Sequence, residues 1–137
     1  MKSSPLGGTE PEPAVDVLIE SEAWRMLPEA EEIVRRAIAC ATASEVAIHQ
    51  RGAELSVLLC DDQTITALNT RWRGREKSTN VLSFPAPPRW GAAPAEKVAL
   101  GDIAIAYETL AREASEQGKS VSDHLSHLVV HGFLHLL

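Results

Sequence analysis

The sequence contains little cysteine and no long hydrophobic run. Its two cysteines, Cys40 and Cys60, form no CxxC motif and are too few for a disulfide framework, which predicts two small buried thiols. Its longest apolar stretches are far shorter than the roughly 20 residues that cross a bilayer, and the N-terminus lacks the basic and apolar regions of a secretory signal. We therefore expect a cytoplasmic protein that has no membrane partner.

Positive charge is also scarce. The chain has 13 Lys and Arg residues against 19 Asp and Glu residues, a net charge of −6. This balance excludes a protein that coats nucleic acid indiscriminately, because such binding relies on neutralising many phosphates. It leaves room for a local basic cleft.

The length and apolar content of the chain suit a single domain. With 137 residues, 45% of them apolar, the chain is long enough to bury one core. Residues 1–13 contain three prolines, two glycines and two serines, which predicts a flexible N-terminal tail. We expect residues 14–137 to form the single domain.

Hydrophobic periodicity predicts alternating strands and helices. Strands are predicted at 15–20, 54–60, 80–85 and 100–106. Helices are predicted from Pro28 to Ala41, from Asp61 or Asp62 to Trp72, from Tyr107 to Gly118, and from Ser120 or Ser122 to the end. Pro85 should end its strand or place it at a sheet edge, and residues 86–97 should form a loop.

The last helix carries apolar residues around nearly its whole circumference, which predicts a buried central helix. Four histidines nevertheless fall in one stripe about 80° wide: His124, His127, His131 and His135. Polar groups on a buried helix need partners, because an unpaired one costs about 1–3 kcal/mol. A metal ion or a water-filled cleft along the stripe would supply them. We expect His124, near the start of the helix, to be solvated.

His131 and His135 lie one helical turn apart, about 6 Å along the axis, so two imidazoles could bind one zinc ion. The alternative is a pair of structural histidines. His127 could be a ligand or a core histidine, but His127, His131 and His135 cannot all bind one ion on a straight helix. Gly132 excludes the HExxH motif of metalloproteases and lets chain, metal or substrate approach closely.

A basic segment precedes the third strand, with Arg71, Arg73, Arg75 and Lys77 in seven positions. It is either a solvated loop or a phosphate-binding arm in which an arginine clamps a phosphodiester. Trp72 would then stack on a base or pack in the core. Ser83 and Asp102 would line a cleft or serve turns and caps.

Several motifs occur in a fixed order along the folded part: Asn69, Trp72-Arg73-Gly74, Lys77, residues 79–85 (TNVLSFP), Gly101-Asp102-Ile103 and residues 127–137 (HLVVHGFLHLL). Together they resemble the YbeY family of bacterial endoribonucleases and rRNA maturation factors. The resemblance implies an α+β fold, with a small mixed four-stranded sheet packed by four to five helices, the last of them buried and central. It also implies zinc-dependent cleavage of single-stranded RNA, rather than DNA, in 16S rRNA 3′ end maturation and ribosome quality control, with the small ribosomal subunit as a partner.

By position, the resemblance makes His131 and His135 the first two zinc ligands and Arg73 the arginine that faces the metal. The family motif continues as Leu-x-Gly-Tyr-Asp-His, and its last histidine, the third ligand, would come about four residues after Leu137. We therefore expect the chain as written to be a weakened form of the enzyme. The other two hypotheses are a catalytically silent RNA- or ribosome-binding module and a different metallohydrolase on the same scaffold.

Overall fold

The computed structural model describes residues 14–43, 53–87 and 98–137. Its strands are β1 (Ala14–Ile19), β2 (Ala53–Cys60), β3 (Val81–Pro85) and β4 (Val98–Ala106). Its helices are α1 (Ala30–Thr42), α2 (Asp62–Arg73), α3 (Tyr107–Gln117) and α4 (Val121–Leu136), and a short 3-10 helix spans Glu22–Met26. Each predicted strand and helix is confirmed. The predicted tail 1–13, and residues 88–97 of the predicted loop, lie outside the described residues.

The four strands form one mixed sheet in the order β1-β2-β4-β3. The β1–β2 and β2–β4 pairs are parallel, and β3 runs antiparallel to β4. Strand β3 therefore lies at an edge, as Pro85 predicts, because proline cannot donate a ladder hydrogen bond. Sheet and helices together confirm the α+β fold.

The two faces of the sheet bury unequal amounts of apolar surface. Alternate residues of the central strands, such as Val57 and Ile103, point to the face where α1 and α4 pack and form the main core. The intervening residues Leu58 and Ala104 point to the other face, where α2 contributes Ile65 to a smaller cluster. The small cluster leaves part of this second face open.

Helix α4 lies centrally, against α1, α3, β3 and β4. Its apolar face is buried through Leu125, Leu128, Val129, Phe133 and Leu136. Burial is less complete than the sequence suggests, since Leu134 is 50% exposed. The helix thus has one buried face and one face toward solvent.

Local signals set the ends of the helices. Asp61 caps α2 by accepting a hydrogen bond from the Thr64 amide at 2.8 Å, and Ser120 caps α4 by accepting one from the Asp123 amide at 3.0 Å. Gly74 ends α2 in the left-handed conformation, at φ 69°, directly after Arg73. These caps fix where α2 ends and α4 begins, and hence where the arginine and the histidines lie.

Only one of the two predicted buried thiols is buried. Cys60 lies in the sheet, where burial and then the neighbouring carboxylates raise its pKa to about 12. Cys40 is exposed, which contradicts the prediction, because it lies on the outward side of α1. None of the helices in the described ranges is long and apolar enough to cross a membrane.

Candidate active site

The histidines of α4 form one continuous stripe, as their spacing predicts. Successive ring centroids lie 6.1 Å apart for His124 and His127, 6.5 Å for His127 and His131, and 4.5 Å for His131 and His135. The last two rings are the closest pair, and their planes are inclined at 62°. Both of these side chains are exposed.

His131 and His135 open into a cleft of about 330 Å³, which Arg73 and residues of β3 also line. The cleft lies where the C-terminal half of α4 meets the edge strand and the end of α2. All three residues that the sequence singles out for the site therefore meet in one cavity. They come from positions about 60 residues apart, which only the packing of α2 and α4 against β3 brings together.

Gly132 allows α4 to lie close to the sheet. A Cβ atom at this position would come within 3.1 Å of Ile103 Cγ2 and 3.2 Å of Ser83 Oγ. The Ser83 hydroxyl donates a hydrogen bond of 3.1 Å to the Gly132 carbonyl. The close approach expected at this glycine is thus made by the chain itself, and it fixes the two histidines relative to β3.

Arg73 is held against β3 from the end of α2. Its guanidinium donates a hydrogen bond to the carbonyl of Ser83 and lies 5.3 Å from the centroid of the Phe84 ring. The same serine therefore contacts both sides of the cleft, since its carbonyl binds the arginine and its hydroxyl binds α4. Buried Asn69 shapes the segment after α2 by donating to the Lys77 carbonyl at 3.0 Å.

The other cations of the basic segment lie outside this cleft. Arg75 and Lys77 line a neighbouring depression of about 350 Å³ together with Arg73, and both are exposed. Trp72 is 60% exposed, so it does not pack in the core. Ser83 lines the histidine cleft, whereas Asp102 accepts a hydrogen bond from Ser56 on the second face of the sheet.

His124 contradicts the expectation that it is solvated. The residue is 3% exposed, and its Nε2 lies 2.9 Å from a carboxylate oxygen of Glu113, which also accepts a hydrogen bond of 3.0 Å from Asn80. Burial alone would raise the pKa of Glu113, but hydrogen bonds from His124 and Asn80 outweigh it and hold that pKa below its ordinary value. His124 is buried because α3 covers the start of α4 and supplies this partner.

No motif or spacing in the sequence marks Glu113 as the partner of His124. The only signal was indirect, since a histidine among buried apolar positions needs a partner. His127, between the buried and the exposed histidines, is exposed and lines a second cavity of about 350 Å³ with His124, Glu113 and His131.

Two imidazoles suit zinc as ligands but do not complete a hydrolytic site, which usually has three protein ligands. Among residues 14–43, 53–87 and 98–137, no three His, Cys, Asp or Glu side chains lie close enough to hold an ion together. The side chains of His131 and His135 make no hydrogen bond to any residue in these ranges, so their ring nitrogens are available. The chemistry of the pair is that of two zinc ligands, and His131 and His135 are the residues that could hold such an ion.

The fold and the cleft define an α+β protein in which an edge strand meets a histidine-bearing helix, with an arginine beside the histidines. Residues 18–137 match the family model described as Endoribonuclease YbeY. The chain belongs to the YbeY family.

Similar proteins agree with this assignment. The Endoribonuclease YbeY of Rhodopseudomonas palustris strain BisB18 is 54% identical over 127 residues, which cover 91% of this chain and 74% of that protein. The protein of the same name from Bradyrhizobium sp. strain BTAi1 is 50% identical over 131 residues, 93% of this chain and 76% of that protein. The solution structure of TM1509 from Thermotoga maritima is similar with a TM-score of 0.50 and 25% identity, over 89% of this chain and 71% of that one.

Proposed function

We propose that this chain is a zinc-dependent endoribonuclease that cuts single-stranded RNA. It would act in the cytoplasm, in maturation of the 16S rRNA 3′ end and in ribosome quality control, with the small ribosomal subunit as its partner. The observation that carries the proposal is the cleft in which Arg73 lies beside His131 and His135. Membership of a family whose relatives are named endoribonucleases supports RNA as the substrate.

Arg73 would bind the scissile phosphate. A guanidinium has five N–H donors, and the hydrogen bond to the Ser83 carbonyl leaves others for phosphate oxygens. Because Ser83 also binds α4, the guanidinium is oriented before the substrate arrives. Arg73 would therefore hold the phosphate and stabilise the negative charge that develops on its oxygens.

His131 and His135 would hold the zinc ion through their exposed rings. Zinc, when bound, supplies Lewis acidity and a nucleophile at neutral pH. The two ring centroids lie 4.5 Å apart and both rings line the same cleft, which supports their binding one ion.

The test measures zinc content and cleavage of a labelled single-stranded RNA, with the same RNA in a duplex as the specificity control. We expect zinc-dependent cleavage of the single strand, lost on chelation and restored by zinc. Arg73→Ala should lower kcat/KM by about 10²–10³-fold, as for the loss of one charge-stabilising donor, and should leave zinc binding unchanged. Arg73→Lys should recover little, because a lysine lacks the bidentate geometry.

The same assay is run on a longer chain that continues through the family motif's next histidine. If that chain binds no zinc and leaves RNA intact, the nuclease proposal is wrong. RNA binding without cleavage would favour the silent binding module. Zinc binding with no action on RNA would favour a different metallohydrolase. Shortened 16S precursor 3′ ends, produced by the active chain on isolated small subunits, would support the maturation role.

A further inference from the structure

The second face of the sheet has an open apolar groove of about 700 Å³, within the size range of ligand pockets. Its lining includes Leu58, Leu68, Trp72, Arg73, Phe84 and Pro85. Helix α2 forms one wall, and strands β2, β3 and β4 form the floor. Of these six residues, the proposed cleavage uses only Arg73.

Trp72 is the unusual member of this lining. Its side chain is 60% exposed, whereas Trp24 is 2% exposed, donates its Nε1–H to the Cys60 carbonyl at 2.8 Å and packs against Tyr107. A large exposed aromatic ring contributes little to the core. Trp24 thus has a structural role, and Trp72 offers a flat apolar surface to a ligand.

The groove adjoins the candidate active site. Arg73 and Pro85 line both cavities, so a ligand held by Arg73 in the histidine cleft can extend directly into the groove. Trp72 is the neighbour of Arg73 in the chain. A strand whose phosphate binds Arg73 can therefore place an adjoining nucleotide in the groove, where Trp72 lies.

Charge favours a nucleotide over an apolar protein segment as the occupant. The Arg71 guanidinium lies 5.2 Å from the centroid of the Trp72 ring, and Arg73 lines the groove, whose lining also contains one carboxylate, Asp102. These cations stand out in a chain of net charge −6. An aromatic ring flanked by arginines suits a base stacked on its face with phosphates beside it.

We propose that this groove is a nucleobase subsite, in which the base next to the scissile phosphate stacks on Trp72. The inference rests on the proposed cleavage of single-stranded RNA and adds to it the surface that receives an unpaired base. A base within a duplex is already stacked on its neighbours. The subsite would therefore favour single strands.

The first experiment measures equilibrium binding of a short single-stranded RNA in the presence of a chelator, so that neither zinc nor cleavage is needed. Trp72→Ala should weaken binding about 5- to 150-fold, the range for loss of one base–aromatic stack. Trp72→Phe should keep most of the affinity. Met26→Ala, which removes a 75% exposed apolar side chain outside the groove, is the matched control and should change nothing.

The second experiment uses RNAs that lack one base at successive positions around the cleavage site. One abasic position next to the scissile phosphate should weaken binding to the natural chain and add little to the effect of Trp72→Ala. If the two losses are independent at every position, the stacking proposal is wrong. Equal binding by the natural chain and Trp72→Ala also contradicts it.

The outcomes separate this inference from the proposed function. Cleavage and binding that are both insensitive to Trp72→Ala would overturn the subsite and leave the nuclease standing. Trp72-dependent RNA binding by the longer chain, if that chain neither binds zinc nor cuts RNA, would support the subsite and overturn the nuclease. A changed oligomeric state of Trp72→Ala with unchanged RNA affinity would show that the groove binds protein, and would overturn the inference.

Discussion

The two ends of α4 place histidines in opposite environments. His124, near the N-terminal end, is 3% exposed and lies 2.9 Å from the Glu113 carboxylate. His131 and His135, near the C-terminal end, are exposed in a cleft beside Arg73, and bind no other described side chain by a hydrogen bond. The same residue type on one helical stripe thus has a structural role at one end and is available for ligands at the other.

The comparison shows that helical spacing identifies the histidines on one face of α4, whereas the residues around each histidine determine its role. A buried imidazole without a partner would cost about 1–3 kcal/mol, so His124 needs Glu113. An exposed imidazole keeps its hydrogen bonds to water and needs no protein partner. The two ends should therefore respond differently to the same substitution.

The largest effect is expected at the C-terminal end. His131→Ala should lower zinc affinity and kcat/KM by more than about 100-fold, because loss of a partner that merely orients a ligand already costs 10–100-fold. Its thermal midpoint without metal should match that of the natural chain, since the ring is exposed. Zinc titration, RNA cleavage and a melting curve measure the three quantities. Cleavage that survives the substitution would remove His131 from the site.

The matched change at the N-terminal end should reverse this pattern. His124→Ala should lower the free energy of unfolding by about 1.5–3 kcal/mol, the range for a buried hydrogen bond to a charged group. Its zinc affinity should stay close to that of the natural chain. Urea unfolding followed by circular dichroism gives the energy. If His124→Ala instead abolished zinc binding and left the free energy of unfolding unchanged, the contrast between the two ends of α4 would be wrong.

Part of this contrast between the two ends of α4 could be predicted from the sequence. The period of α4 places all four histidines on one stripe, and the Gly132 signal correctly indicates a close approach. The strands are readable because their apolar runs are bounded by turn residues and Pro85. Resemblance to a family then brought Arg73 to the histidines, which spacing alone could not do.

What could not be predicted depends on contacts between distant elements. The partner of His124 comes from α3, across a turn, and no local pattern marks Glu113 for that role. The place of β4 between β2 and β3 likewise follows from long-range pairing. Trp72 shares one side of α2 with Ile65, yet it is exposed because the second face of the sheet has only a small cluster at that helix.

A smaller effect on stability and cleavage is expected where the C-terminal half of α4 packs against the sheet. Gly132→Ala would place a methyl group about 3.1 Å from Ile103 and 3.2 Å from Ser83 Oγ. Overpacking typically costs about 1–3 kcal/mol, and the better helix propensity of alanine returns about 1 kcal/mol. We expect a net loss of about 1 kcal/mol in urea unfolding, together with reduced cleavage, because Ser83 also orients Arg73. A more stable and fully active variant would show that this contact does not position the site.

The smallest effect concerns the pH dependence of the N-terminal end. The pKa of Glu113 is lowered in the folded chain, where His124, Asn80 and Arg112 face its carboxylate. Its stabilising contribution is therefore complete above the pKa of an unfolded glutamate, about 4.3, and is lost as the pH falls through the lower folded value. The Glu113→Gln variant lacks this pH-dependent stabilisation.

The difference in unfolding free energy between the natural chain and Glu113→Gln should therefore shrink between pH 7 and pH 3. We expect a change of about 0.5 kcal/mol, since the carboxylate is partly solvated. Urea unfolding at several pH values, with Glu116→Gln at an exposed position of the same helix as the control, measures it. A constant difference would mean that the carboxylate contributes to the start of α4 only by its shape. The contrast between the two ends would then rest on burial rather than on charge.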